Sequence, residues 1–86
     1  MQLRRHKRFE KQFNKLSPAI QQKSKIRIKL FIADPHAAML KNHALKGSFE
    51  GERAISITGD IRIVFIELGN YEYVTFMRIG THNQVY

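Results

Sequence analysis

The sequence predicts an α+β fold: an antiparallel sheet of three to four strands with an N-terminal αα hairpin packed on one face. Three observations carry this. A helical periodicity is broken once, at Ser17-Pro18, and stops at Asp34-Pro35. Three β-type runs then follow one another, separated by Gly59-Asp60 and Gly69-Asn70. At 86 residues and 43% hydrophobic, the chain has the length and composition of one globular domain, residues 1–86.

Residues 1–6 fit either an edge strand or a frayed start. Lys7 to Leu16 reads as a helix, because Phe9, Phe13 and Leu16 fall on one face while Lys7, Arg8, Lys11 and Lys15 fall elsewhere. Ser17 is placed to cap a second helix, and Pro18 suits its first position, where no N–H is needed. That helix is expected from Pro18 to Ala33. Ile26, Ile28, Leu30 and Ile32 alternate as a strand would, but the cap, the length and the Asp34-Pro35 stop favour the helix. In the connector that follows, Met39 and Leu40 are expected as core plugs. Strands are expected at Arg53–Thr58, Ile61–Leu68 and Tyr71–Ile79.

The charge is +8 and uneven. Residues 1–29 hold ten basic residues (Arg4, Arg5, Lys7, Arg8, Lys11, Lys15, Lys23, Lys25, Arg27 and Lys29) against the single acid Glu10, a net +9. The rest of the chain has five basic and six acidic residues, a net −1. Such a field attracts polyanions: nucleic acid first, an acidic protein second. With no cysteine there is no disulfide or thiolate metal site, as in a reducing cytosol. No apolar run approaches a membrane span, and no membrane partner is expected. The four histidines include no i, i+4 helical pair and there is no acid-rich cluster, so no metal or other cofactor is expected.

The chemistry-bearing residues are His43, Asp60, Arg62, Arg78, His82 and Tyr86. Metal-free RNA cleavage needs a base for the 2′-hydroxyl, cations for the phosphate and an acid for the leaving oxygen. Histidine serves both proton roles, arginine grips phosphate with a planar fork, and an aromatic can stack on a base. Each also has a plainer reading: a loop histidine on the surface, a turn aspartate, a strand arginine paired with Glu72 or Glu50, a packed terminal tyrosine. Register separates these. A two-residue Gly69-Asn70 loop pairs Leu68 with Tyr71 and sends Arg62 and Arg78 to opposite faces. A loop one or three residues longer puts both on one face, shared by Asp60 if the strand extends back to it. The longer loop is expected.

The motif His43-x-Leu45-x-Gly47-x-x-x-Gly51-x-Arg53, then Gly59-Asp60-Ile61-Arg62-Ile63-Val64-Phe65, then Arg78-x-Gly80-Thr81-His82 and Tyr86, resembles the RelE/ParE toxin superfamily of bacterial toxin–antitoxin systems, nearest its YafQ-type branch. The resemblance covers most of the chain and implies a RelE-like fold. It implies a cytoplasmic, ribosome-dependent mRNA endoribonuclease that cuts A-site codons on the 70S ribosome and inhibits translation, held in check by an acidic antitoxin. It assigns proton transfer or orientation to His43, Asp60 and His82, with acid and base left open among them. Arg78 would bind the scissile phosphate, Tyr86 would contact substrate, and Arg62 matches an arginine of RelE proper. The ten basic residues of 1–29, from Arg4 and Arg5 to Lys29, with Lys46 and Arg53, would hold RNA and ribosome. One position departs: Ser56 stands where YafQ-type toxins have a second histidine, and serine does not shuttle protons near neutral pH. Two other readings share the fold: a ParE-like toxin that poisons DNA gyrase by binding, and a non-catalytic basic RNA-binding module.

Overall fold

The structure, a computed structural model, describes residues 1–86. Two helices, α1 (Lys7–Asn14) and α2 (Pro18–Ala33), precede most of a five-stranded sheet of β1 (Gln2–Arg5), β2 (His43–Ala44), β3 (Arg53–Ser56), β4 (Ile61–Leu68) and β5 (Tyr73–Thr81). One helical turn, α3 (His82–Val85), follows β5, and 3-10 turns at Ala38–Leu40 and Gly47–Phe49 flank β2. The spatial order is β1-β5-β4-β3-β2. The sheet is therefore wider than the three to four strands expected, and it is mixed: β1 runs parallel to β5, while the other pairs are antiparallel. Both extra strands are short edges, four and two residues long, with too few positions to show alternation in the sequence.

The helix boundaries follow the caps. Ser17 Oγ accepts the Ile20 N–H at 3.3 Å, and the Asp34 N–H closes the last turn of α2 on Leu30 O at 2.7 Å. Inside α2, Phe31 and Ser24 are buried, whereas Ile26 and Ile32 are exposed. The strand-like alternation of its isoleucines is thus spread around a helix, not across a pleat. Ser24 satisfies its buried hydroxyl by donating to Ile20 O at 2.8 Å. Of the two expected plugs only Leu40 enters the core. Met39 is exposed, because consecutive residues of a 3-10 turn point about 120° apart.

The two faces of the sheet differ. The helix side carries Phe9, Phe31, Leu40, Ile55, Ile63, Phe65, Phe76 and Ile79 in one cluster. Ile55, Ile63 and Ile79 face one another across three strands. The other side buries only Ala54, Val64 and Val85, with Leu45 and Tyr86 against them. That thin second layer is the floor of the candidate site.

The β4–β5 hairpin reaches the expected facing by a different route. Its loop has four residues, since Leu68 pairs with Tyr73, and that register alone would set Arg62 and Arg78 on opposite faces. A β-bulge corrects it: Phe65 pairs with Phe76 but Val64 pairs with Arg78, so Met77 is the extra residue. The loop itself is set by tertiary contacts. Gly69, Asn70 and Tyr71 all have positive φ. Tyr71 is held there by its N–H to Glu67 Oε1 at 2.9 Å, by Asn42 Nδ2 donating to its hydroxyl at 3.0 Å, and by its ring against Phe31 and Phe65.

β5 continues past Ile79, where it was expected to end, to Thr81. β1 supports it only as far as Phe76, whose carbonyl takes the His6 N–H at 2.8 Å. Beyond that, Gln12 of α1 accepts the Ile79 N–H at 2.9 Å. The chain then turns into α3 through a capping box: the Gln84 carboxamide accepts the Thr81 N–H at 2.8 Å, and the Thr81 side chain accepts from the Gln84 backbone N–H. Gly80 makes room for it. A Cβ at Gly80 would lie 2.6 Å from Gln84 Oε1 and 3.0 Å from Gln84 Cβ. Gly80→Ala is expected to displace Gln84 and undo the box, costing about 1–2 kcal/mol and lowering Tm by about 4–8 °C per kcal/mol in calorimetry. An unchanged Tm would show that α3 is held by something other than its cap.

Candidate active site

Side chains directly opposite one another on neighbouring strands point the same way. Register therefore lays out the site. His43 pairs with Ala54, Ala54 with Val64, and Val64 with Arg78, a single row across four strands on the face away from α1 and α2. The next row is Ser56, Arg62 and Gly80. His43 and Arg78 end the first row, three strand spacings or about 14 Å apart. α3 folds back over the middle: Val85 packs on Ala54 and Val64, and Tyr86 joins the same cluster.

Arg78 is the most constrained of these residues. Its Nε donates to Val85 O at 2.9 Å, and its Nη2 meets Glu52 Oε1 in a charge-assisted hydrogen bond. Its guanidinium carbon lies 5.7 Å from the centre of the Phe49 ring. Phe49 in turn tilts against Tyr86 at 5.9 Å, and Tyr86 meets the His82 ring edge-on at 4.5 Å. One chain of contacts thus joins Glu52, Arg78, Phe49, Tyr86 and His82. Burial pushes the Tyr86 hydroxyl above the ordinary tyrosine range, while the charges of Arg62 and Arg78 pull it partly back. The phenol therefore stays protonated at neutral pH, a hydrogen-bond donor and not a base. Arg62 spends one nitrogen on backbone carbonyls of the β3–β4 bend, Thr58 at 3.2 Å and Gly59 at 3.3 Å.

Of the six residues singled out in the sequence, Arg78, His82 and Tyr86 come together, with Arg62 in the adjacent row. His43 shares the face but sits at the far edge, its Nδ1 2.9 Å from Lys41 O, with no ring contact or hydrogen bond to His82. A backbone carbonyl partner fixes the Nδ1–H tautomer, leaving Nε2 free as a base. Asp60 does not join. Strand β4 starts only at Ile61, and Asp60 lies in the bend, exposed. Its N–H donates to Thr58 Oγ1 at 3.1 Å, and its carboxylate bonds to neither histidine. Arg53 is also turned away. It alternates with Ala54 and so faces the helix side, where its Nε donates to Asn42 Oδ1 at 2.9 Å. Among the other basic residues, Arg5 lies 3.9 Å from Glu10, and Lys7, Arg8, Lys11 and Lys15 are exposed along α1.

Glu52 and Phe49 are members of the site that residue type and spacing did not single out. Both lie between or beside Gly47 and Gly51, whose positive φ angles frame the turn, so the glycine spacing is the signal that points to them. No group of three His, Asp or Glu side chains stands close enough to hold a metal ion.

The match to known proteins runs the length of the chain. A family model described as a bacterial toxin of type II toxin–antitoxin system, YafQ, matches residues 1–86. The chain belongs to the YafQ family of type II toxins. No curated protein matches it by sequence. Among solved structures, YafQ from Escherichia coli strain BL21(DE3) superposes with a TM-score of 0.82 at 22% identity, covering 98% of this chain and 96% of that one. A YoeB/ParE toxin from Agrobacterium tumefaciens gives 0.78 at 20% identity, covering 95% and 99%. The toxin fold in the E. coli DinJ–YafQ toxin–antitoxin complex gives 0.79 at 22% identity, covering 98% and 94%. At these identities the superpositions establish a RelE-like fold. No helix of this YafQ-family chain is long and apolar enough to cross a membrane.

Proposed function

We propose that this YafQ-family toxin is a ribosome-dependent endoribonuclease that cuts mRNA in the A site by attack of the RNA 2′-hydroxyl, and so arrests translation in the cytoplasm. The observation that carries the reading is the face beside α3, where Arg78, Arg62, the His82–Tyr86 pair and, across the row, His43 all belong to one sheet surface. Arg78 and Arg62 supply the positive charge that a phosphorane-like transition state requires. His82, exposed on the first turn of α3, is the candidate acid or base nearest that charge, and Tyr86 beside it donates a hydrogen bond or stacks on a base. His43 is the second proton-transfer group. Asp60, exposed in the bend, acts through solvent and not by orienting a histidine. Ser56, opposite Arg62, binds but does not shuttle protons.

The exposed cations of α1 and α2 fit the same reading, since a small enzyme working inside ribosomal RNA gains its affinity from phosphate contacts. They also suit an acidic antitoxin as partner, a role supported by the DinJ–YafQ complex of the E. coli relative.

The test is primer extension on programmed ribosomes with wild type and His82→Ala. Cuts at A-site codons that need the ribosome and fade at least about a hundredfold in the variant are expected. Growth arrest on expression without any cleavage would sink the proposal and point to the ParE-like reading, to be followed by a gyrase supercoiling assay.

A further inference from the structure

A second cationic feature lies beside the site and is separate from the α1 surface. Where the β3–β4 bend meets α2 and the 3-10 turn at Ala38–Leu40, there is a cleft of about 310 Å³. Lys23 and Arg27 line it from α2, Lys41 from the connector, Ser56 and Arg62 from the sheet, and Thr58 from the bend. Four cations share this space and no carboxylate lines it. Asp60, one residue beyond its Gly59 wall, is not part of the lining.

The cations are held but not neutralised. Arg27 Nη1 donates to Met39 O at 2.9 Å, and Arg62 Nη1 donates to Thr58 O and Gly59 O. Carbonyl oxygens fix a guanidinium's direction without cancelling its charge. The ammonium groups of Lys23 and Lys41 make no hydrogen bond or ion pair within the chain, and its two ion pairs, Arg5–Glu10 and Arg78–Glu52, lie elsewhere. Four like charges gathered in one concavity repel each other unless an anion enters. Thr58 and Ser56 add hydroxyl donors, so the lining suits the oxygens of a phosphodiester. Arg62 belongs to both places: it lines the cleft, and its charge acts on Tyr86.

We infer that this cleft is a backbone-phosphate subsite that seats the mRNA strand one or more nucleotides away from the scissile bond, with Arg62 as the link between the two. The inference rests on the nuclease reading for the strand's identity, but not for the anion chemistry. An acidic protein segment would find the same charge. RNA is favoured because the cleft opens beside Arg62 and offers hydroxyl donors with no apolar pocket for peptide side chains beyond Met39 and Ile57.

The experiment uses the full chain and a fluorescent 2′-O-methyl RNA hexamer, which cannot be cleaved through its 2′-oxygen. Anisotropy titrations run from low to high KCl. Lys23→Gln with Lys41→Gln is expected to weaken binding about tenfold and to flatten the log Kd–log salt slope by about 1.4, that is about 0.7 for each phosphate no longer neutralised. The same removal of charge on α1, Lys11→Gln with Lys15→Gln, is expected to have the smaller effect. Lys23→Glu, a single exposed change, checks the direction independently of folding. Equal effects from the two double variants, or an unchanged slope, overturn the subsite. So does a weakening seen only with ribosomes, which assigns the cleft to ribosomal RNA, or dependence of a hexaglutamate peptide but not the RNA on the two lysines. Lysine-dependent hexamer binding by a protein that leaves ribosomes uncut would keep the cleft and discard the nuclease. Ribosome cleavage equal in wild type and the lysine variant would do the reverse.

Discussion

Arg78→Met abolishes most cleavage: a fall of about 10²–10³ in rate on programmed ribosomes is expected, the size seen when one preorganised donor to a developing charge is removed. The same change also affects the fold. Its partner Glu52 is left with a mostly buried carboxylate, the two side chains being only 13% and 21% exposed. Orphaning one member of a buried pair costs about 3–5 kcal/mol at full burial. Partial exposure lowers that here to about 2 kcal/mol. Activity and stability must therefore be separated, and Glu52 allows it. Glu52→Gln keeps the shape and an accepting oxygen while removing the charge. The double variant Glu52→Gln/Arg78→Met is expected to recover most of the stability removed by Arg78→Met, read as Tm, while its cleavage stays at the level of the single variant. Recovery of cleavage together with Tm would make Arg78 a structural residue and return the phosphate role to Arg62.

Phe31→Ala is expected to be the most damaging change to the fold. Phe31 is fully buried, and its ring centre lies 5.0 Å from that of Phe65, 5.7 Å from Phe76 and 6.1 Å from Tyr71. Truncating a buried phenylalanine costs about 3–5 kcal/mol through lost transfer energy and a residual cavity. A small domain has only about 5–15 kcal/mol in all. Tm should fall by roughly 12–40 °C, at about 4–8 °C per kcal/mol. Phe31 also backs Tyr71, whose strained turn sets the β4–β5 loop. Phe31→Leu, which keeps most of the volume, should cost much less. A shift of a few degrees for Phe31→Ala would mean that the helix layer collapses onto the sheet without it.

Sequence signals suffice where local physics decides. Ser17-Pro18 and Asp34-Pro35 bound α2 because caps and proline act within a few residues. Long-range pairing is less visible. β1 is a strand only because β5 lies beside it, with Gln2 opposite Tyr73. The shared face of Arg62 and Arg78 is expected from a loop one or three residues longer than two, but the loop is two longer and a bulge supplies the facing instead. Nothing about Met77 as a residue marks a bulge, which is forced by the mismatch between a four-residue loop and a core that needs Phe65 and Phe76 on the helix side. For the site, the charged residues announce themselves by type and spacing, and His82 and Tyr86 converge through a turn that Gly80-Thr81 encodes. Asp60 and Arg53 do not follow, since direction depends on where a strand begins. Glu52 is flagged in the sequence only by its place beside Gly51, and its role emerges from its pairing with Arg78.

The pairing of β1 with β5 has a consequence in time. Synthesis runs from the N-terminus, so α1, α2 and the other four strands exist before the strand that must lie between β1 and β4. Helical hairpins form from neighbouring residues within microseconds, whereas closure across most of a chain is slow. Until β5 joins, β1 has no neighbour and Arg78 is missing from the surface that His43 and Arg62 share through β2, β3 and β4. On the nuclease reading, the last strand to join is the one that completes the site, since β5 brings Arg78 and leads directly into α3, which carries His82 and Tyr86.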